Sequence, residues 1–179
     1  HSAIIPVRAM RELMRQLDPD QESMVEFAIA ENQAIFRMPG TTLVSRLVEG
    51  RFPDYRRAFP DGEATWMRLD RAHFLAAVDR AALIGPHNAP PTVTLEASDL
   101  GLTIMSGEPG VGQFREALPA RPDGEPASAL YQTHYLAEAL RAVDADEVTM
   151  EIRSGMKQGS LRLPGNNRFL YVFMPIRKS

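Results

Sequence analysis

The sequence predicts an α+β protein in which one unit, a strand, a helix and three more strands, is written three times. Two observations carry this reading. Apolar residues recur at i, i+3, i+4 and i+7, the spacing of a helix with one buried side, in three sets: Met10/Leu13/Met14/Leu17, Phe74/Ala77/Val78/Ala81 and Leu136/Ala139/Leu140/Val143. The sets start at positions 10, 74 and 136, so they lie 64 and then 62 residues apart, the mark of an internal repeat.

The strands fall in the same order around each helix. Runs at 3–5, 64–69 and 128–132 precede the three helices. After them come 24–30, 33–38 and 41–48 in the first copy, 92–97, 101–106 and 112–118 in the second, and 148–153, 160–163 and 169–174 in the third. Many alternate apolar and polar, as Val25-Glu26-Phe27-Ala28-Ile29 does, which gives each strand one buried face. Turn residues separate the elements: Asp18-Pro19-Asp20, the run 85–91 with Pro86, His87 and Asn88, and Asp144-Ala145-Asp146. Gly107-Glu-Pro-Gly-Val-Gly112 lacks the Lys-Ser/Thr that ends a phosphate loop and reads as a hairpin turn. A lone helix covers one face of a four-stranded sheet poorly, so two such units should pair, helix beside helix. Copies two and three, residues 61–179, then form a complete domain with internal pseudo-symmetry. Copy one and its connector, 1–60, form half of another.

Bulk properties narrow the function. With no cysteine there is no disulfide scaffold and no thiolate metal or redox site. The four histidines, His1, His73, His87 and His134, have no metal-ligand spacing, and no serine sits in a nucleophile elbow, so neither a metal, a cofactor nor an enzyme is expected. A net charge of −3 argues against a generic basic nucleic-acid binder, although one basic face remains compatible with it. No apolar run reaches the length of a membrane span and no signal peptide is evident, which leads to the expectation of a cytoplasmic protein. On the first helix Arg8, Arg11 and Arg15 cluster opposite the apolar set; they form either a solvated face or a stripe for phosphates.

The connector between copies one and two is unusual. Phe52-Pro53 excludes helix for the residue before the proline, and the segment is expected to be non-helical. It nevertheless holds two prolines, aromatics and Arg51, Arg56 and Arg57, a composition found at interfaces as well as in kinked linkers. Together, LVEGRFPDYRRAFP at 47–60 and YVFMPIR at 171–177 resemble the bacterial sliding clamp family, the beta subunit of DNA polymerase III. The resemblance covers the whole chain but only about the last half of a typical clamp. It implies the sliding-clamp fold and a non-catalytic processivity factor, a homodimeric ring around double-stranded DNA that tethers the replicative polymerase. It also implies a pocket for short peptides from the polymerase catalytic subunit, the clamp loader and other clamp-binding-motif proteins. By position that pocket takes in Pro53, Arg57, Ala58, Gln132, Tyr135, Val172, Phe173, Met174, Pro175, Ile176 and Arg177.

The same resemblance turns Arg8, Arg11, Arg15, Arg71 and Arg80 toward the DNA in the central hole and places Leu83 and Ile84 at the subunit interface. Two departures stand out. One wall of the family pocket comes from the half-domain that has no counterpart here, and the tail runs on to Lys178-Ser179. The competing function is a stand-alone interaction or regulatory protein that keeps the docking domain without forming a ring.

Overall fold

The computed structural model describes residues 3–18, 22, 24–85, 89–108 and 110–177. The turn residues Pro19, Asp20, Pro86, His87, Asn88 and Pro109, and His1, Lys178 and Ser179, lie outside them. The chain divides into two compact units, His1–Asp54 and Tyr55–Ser179, so the division falls inside the connector.

The second unit contains two copies of the repeat. The first is β4 (Thr65–Asp70), α2 (Arg71–Ala82), β5 (Thr92–Ser98), β6 (Gly101–Glu108) and β7 (Gly112–Leu118). The second is β8 (Ala127–Gln132), α3 (Thr133–Arg141), β9 (Glu147–Ile152), β10 (Gly159–Leu163) and β11 (Asn166–Phe173). All strand pairs are antiparallel, and the copies trade their leading strands: the sheets run β11-β10-β9-β4 and β7-β6-β5-β8. The apolar faces of both helices turn inward, and Phe74, Val78, Leu136 and Leu140 are fully buried with Leu95, Ile104, Met150 and Leu161. Burying each such side chain contributes about 1.5–3 kcal/mol before the cost of ordering it. Asp70 caps α2, its carboxylate accepting the backbone N–H of His73 at 2.8 Å. Gly107 and Glu108 pair with Gln113 and Gly112, so the glycine-rich run is the β6–β7 hairpin.

The first unit is smaller. It consists of α1 (Val7–Gln16), β1 (Glu26–Ala30), β2 (Gln33–Met38) and β3 (Thr41–Arg46), the strands forming one sheet in that order. Its core is Leu13, Ala34 and Phe36, with Ile5, Leu17, Val25, Met38, Leu43 and Leu47 packed around it.

Three expectations need correction. Residues 3–5 form no strand: among the described residues the sheet of this unit is β1-β2-β3 alone. On α1 the buried face is Ala9 and Leu13, whereas Met10 and Met14 are 37% and 71% exposed. In the second unit the paired helix covers those positions, and among the described residues of the first unit there is one helix. The connector holds one 3₁₀ turn, Tyr55–Ala58. Each proline restricts only the residue before it, which leaves room for a single turn between Pro53 and Pro60. Tyr55 and Phe59 pack at a tilt across that turn, ring centroids 5.9 Å apart.

Candidate docking and nucleic-acid surfaces

The C-terminal segment is placed by strand alternation. In β11 Tyr171 and Phe173 point to one side, their rings 5.0 Å apart, and Phe173 also meets Tyr131 of β8 at 5.8 Å. Phe173 is therefore core, 2% exposed, and does not line a docking surface as expected. Beyond the strand Met174 is exposed, Pro175 is buried and Ile176 is half-buried. The Ile176 N–H donates to the Leu130 carbonyl at 2.8 Å, so the tail runs beside β8.

Tyr135, on the first turn of α3, is half-exposed, and Gln132 immediately before the helix is half-buried. Burial raises the pKa of the Tyr171 hydroxyl, helped by the nearby Glu138 carboxylate and by Tyr135. The structure thus brings Tyr135 of α3 to the side of β11 that Tyr171 faces, and joins Ile176 to β8. Val172 is half-buried; Arg57, Ala58 and Arg177 are exposed. Ile176 and Arg177 border an open cleft of about 1510 Å³ that runs over Thr94, Met105, Phe114 and Leu130. Pro53 is exposed and belongs to the first unit.

The arginines divide by what they hold. Arg8 and Arg11 are exposed on α1, and Arg15 is exposed with its guanidinium 2.8 Å from Glu12. Arg71, half-buried at the start of α2, is held by backbone carbonyls. Its side chain donates to the carbonyls of Ala145 at 2.6 Å and Leu140 at 3.3 Å, tying α2 to the end of α3. Arg80 forms a two-pronged pair with Glu116 of β7, 2.6 and 3.0 Å. Arg141 reaches Asp79 across the helix pair with one nitrogen, which donates to both carboxylate oxygens at 2.7 and 2.9 Å. Leu83 is 79% exposed and Ile84 lies half-buried over Gly112 of the hairpin.

Sequence reasoning missed a buried polar cluster. Glu151, at an outward position of the β9 alternation, is fully buried with Arg153 beside it in an ion pair, and the Ser160 hydroxyl donates to the other carboxylate oxygen. Arg153 also donates to the carbonyls of Gly62, Glu63 and Gln158, each at 3.1 Å. The Tyr131 hydroxyl is buried against this cluster without a hydrogen-bond partner, and its pKa is driven up by burial and then by the Glu151 charge. Arg153 also borders a smaller cleft of about 460 Å³ with Thr65, Glu125, Ser154 and Lys157. No spacing rule marks this cluster in sequence, because its members meet only through strand pairing. Among the described residues no group of three or more His, Cys, Asp or Glu side chains could hold a metal, and no helix is long and apolar enough to cross a membrane.

Residues 56–177 match the C-terminal domain of the DNA polymerase III beta subunit, and residues 1–54 match its central domain. The chain belongs to the DNA polymerase III beta subunit family. The Staphylococcus aureus beta sliding clamp is 30% identical over 177 residues, which is 98% of this chain and 47% of that protein. The Bacillus subtilis beta sliding clamp is 27% identical over 179 residues, 99% of this chain and 47% of its own.

The crystal structure of the Bacillus subtilis sliding clamp superimposes with a TM-score of 0.89 at 27% identity, over 100% of this chain and 47% of that one. A sliding clamp from Bartonella birtlesii, solved bound to griselimycin, gives 0.87 at 28% identity over 98% and 47%. The chain therefore spans about half the length of these beta subunit relatives. The expected sliding-clamp fold is borne out, with one complete domain and part of another.

Proposed function

We propose that this chain acts as part of a DNA sliding clamp, a non-catalytic processivity factor of the bacterial cytoplasm that tethers the replicative polymerase to DNA. Its own contribution is a docking surface on the second unit for short peptides from the polymerase, the clamp loader and other partners. One observation carries the reading: both units match, in order and along the whole chain, the central and C-terminal domains of one family.

The chemistry supports it. Met174 and Ile176 supply adaptable apolar side chains, Pro175 fixes the backbone between them, and Tyr135 and Gln132 stand at the start of α3. Arg57 and Arg177 can hold a peptide carbonyl or carboxylate. Arg8, Arg11 and Arg15 offer phosphate contacts that carry no sequence information and fade with salt. In the full assembly Leu83 and Ile84 serve the contact between subunits of a homodimeric ring.

The fitting ligand has a glutamine followed two or three residues later by adjacent large apolar side chains. Desolvating two such side chains contributes about 3–6 kcal/mol before ordering costs, which sets micromolar affinity as the ceiling. Calorimetry with such a peptide tests the reading. Met174→Asp is expected to abolish binding with the fold intact, and Arg8→Ala to leave affinity unchanged; equal affinity for wild type and Met174→Asp refutes it.

A further inference from the structure

The outer face of the sheet β7-β6-β5-β8 carries a row of side chains that begins at the C-terminal tail. Alternation turns Val93, Leu95 and Ala97 of β5, and Ala129 and Tyr131 of β8, into the core, which leaves Thr94 and Leu130 on the outer face. The register sets Leu130 opposite Thr94, Thr94 opposite Met105 and Met105 opposite Arg115, so the row crosses every strand of the sheet. The tail continues it, since the Ile176 N–H donates to the Leu130 carbonyl at 2.8 Å. Ile176, Leu130, Thr94, Met105 and Arg115 all line the open cleft of about 1510 Å³.

The row changes character along its length. It starts on the aliphatic side chains of Ile176 and Leu130, passes the Thr94 hydroxyl and the adaptable thioether of Met105, and ends on an exposed guanidinium. Arg115 donates to the Met105 sulfur at 3.4 Å, a weak acceptor, and among the described residues it forms no ion pair. Glu116, its neighbour on β7, alternates to the other side, where Arg80 holds it. Glu96 and Glu108 border the cleft off the row and disfavour an anion there, which confines a carboxylate to the end at Arg115.

Inter-strand spacings of about 4.8 Å place Arg115 about 14 Å from Leu130, and an extended peptide covers that distance in about four residues. We propose that this row receives the segment flanking the apolar anchors of a docked peptide, and that Arg115 holds a carboxylate about four residues beyond those anchors. The inference rests on the docking surface proposed above, because Ile176 and Arg177 belong both to that surface and to the cleft. It adds a preference among peptides that share the same anchors: those with an acidic residue at the right distance bind best.

Synthetic peptides with capped ends test it by calorimetry. The base peptide has the glutamine and the adjacent large apolar residues described above. Extended forms carry a serine spacer and then a glutamate, or a lysine in its place, about four residues beyond either end. The two ends leave the anchors in opposite directions, so a glutamate at one end alone is expected to tighten binding, about fivefold over the base peptide and less at about 1 M salt. Arg115→Gln should erase that gain, and Arg115→Glu should transfer it to the lysine form. A base peptide that binds with no gain from glutamate at either end, with a gain at both ends, or with a gain that survives Arg115→Gln overturns the row and leaves the docking surface standing. If neither the base nor the extended peptides bind, the docking surface fails and the row fails with it.

Discussion

Replacing Arg153 by Met tests whether the buried ion pair holds the second unit together. Arg153 is 4% exposed and Glu151 fully buried, so almost no water screens either charge. The guanidinium serves Glu151 and three carbonyls, two of them, Gly62 and Glu63, at the chain's entry into β4. Methionine fills much of the volume and supplies none of the donors. Glu151 then keeps only the Ser160 hydroxyl, and breaking one side of a buried pair costs about 3–5 kcal/mol. For a unit of this size that amounts to a drop in Tm of about 10–20 °C.

The carbonyls are near enough to the surface for water to replace the arginine there, so most of the loss belongs to the orphaned carboxylate. Arg153→Met/Glu151→Gln should therefore recover at least half of it, since a neutral amide is cheaper to bury than a charge. Urea unfolding of the two variants and the wild type, followed by circular dichroism, gives both numbers. A loss below about 1 kcal/mol for Arg153→Met, or no recovery in the double variant, refutes the reasoning.

Two further outcomes follow from the core. The Tyr131 hydroxyl has no partner, so Tyr131→Phe should be neutral or slightly stabilising at pH 7 by urea unfolding. Its pKa is raised in the folded state above the ordinary 10, so below pH 10 the hydroxyl is neutral whether the chain is folded or unfolded and titration takes nothing from stability. As pH rises beyond 10 the unfolded chain ionises first and stability falls, at up to about 1.4 kcal/mol per pH unit, so Tyr131→Phe should lose less than wild type there. Leu136→Ala, at a fully buried position of α3, should cost about 2–5 kcal/mol by the same unfolding assay.

Local periodicity made most of the framework legible. The helical sets at 10, 74 and 136 and the alternating runs between them place all three helices and the eleven strands now seen, because a one-sided helix or strand must write its buried face into its own spacing. The hairpin at 107–112 was equally legible, since turn chemistry is local. The docking segment was legible in part: its motif marks 171–177, whereas the burial of Phe173 follows from the rings of Tyr131 and Tyr171 that meet it in the fold.

Tertiary structure decided everything that depends on which surfaces meet. Met10 and Met14 have the spacing of core residues, yet burial requires a partner helix, and periodicity does not record whether one is present. Arg71 reads as a helix-surface charge, and only the fold puts two carbonyls from the end of α3 beside it. Glu151 and Arg153 read as ordinary strand charges, and only the pairing of β9 between β4 and β10 buries them together. The sequence by itself determined the elements and their threefold repetition, for these follow from the order of residues along a few turns or one strand. The exchange of leading strands and the buried ion pair arise from contacts between distant segments, and those exist only once the chain has folded.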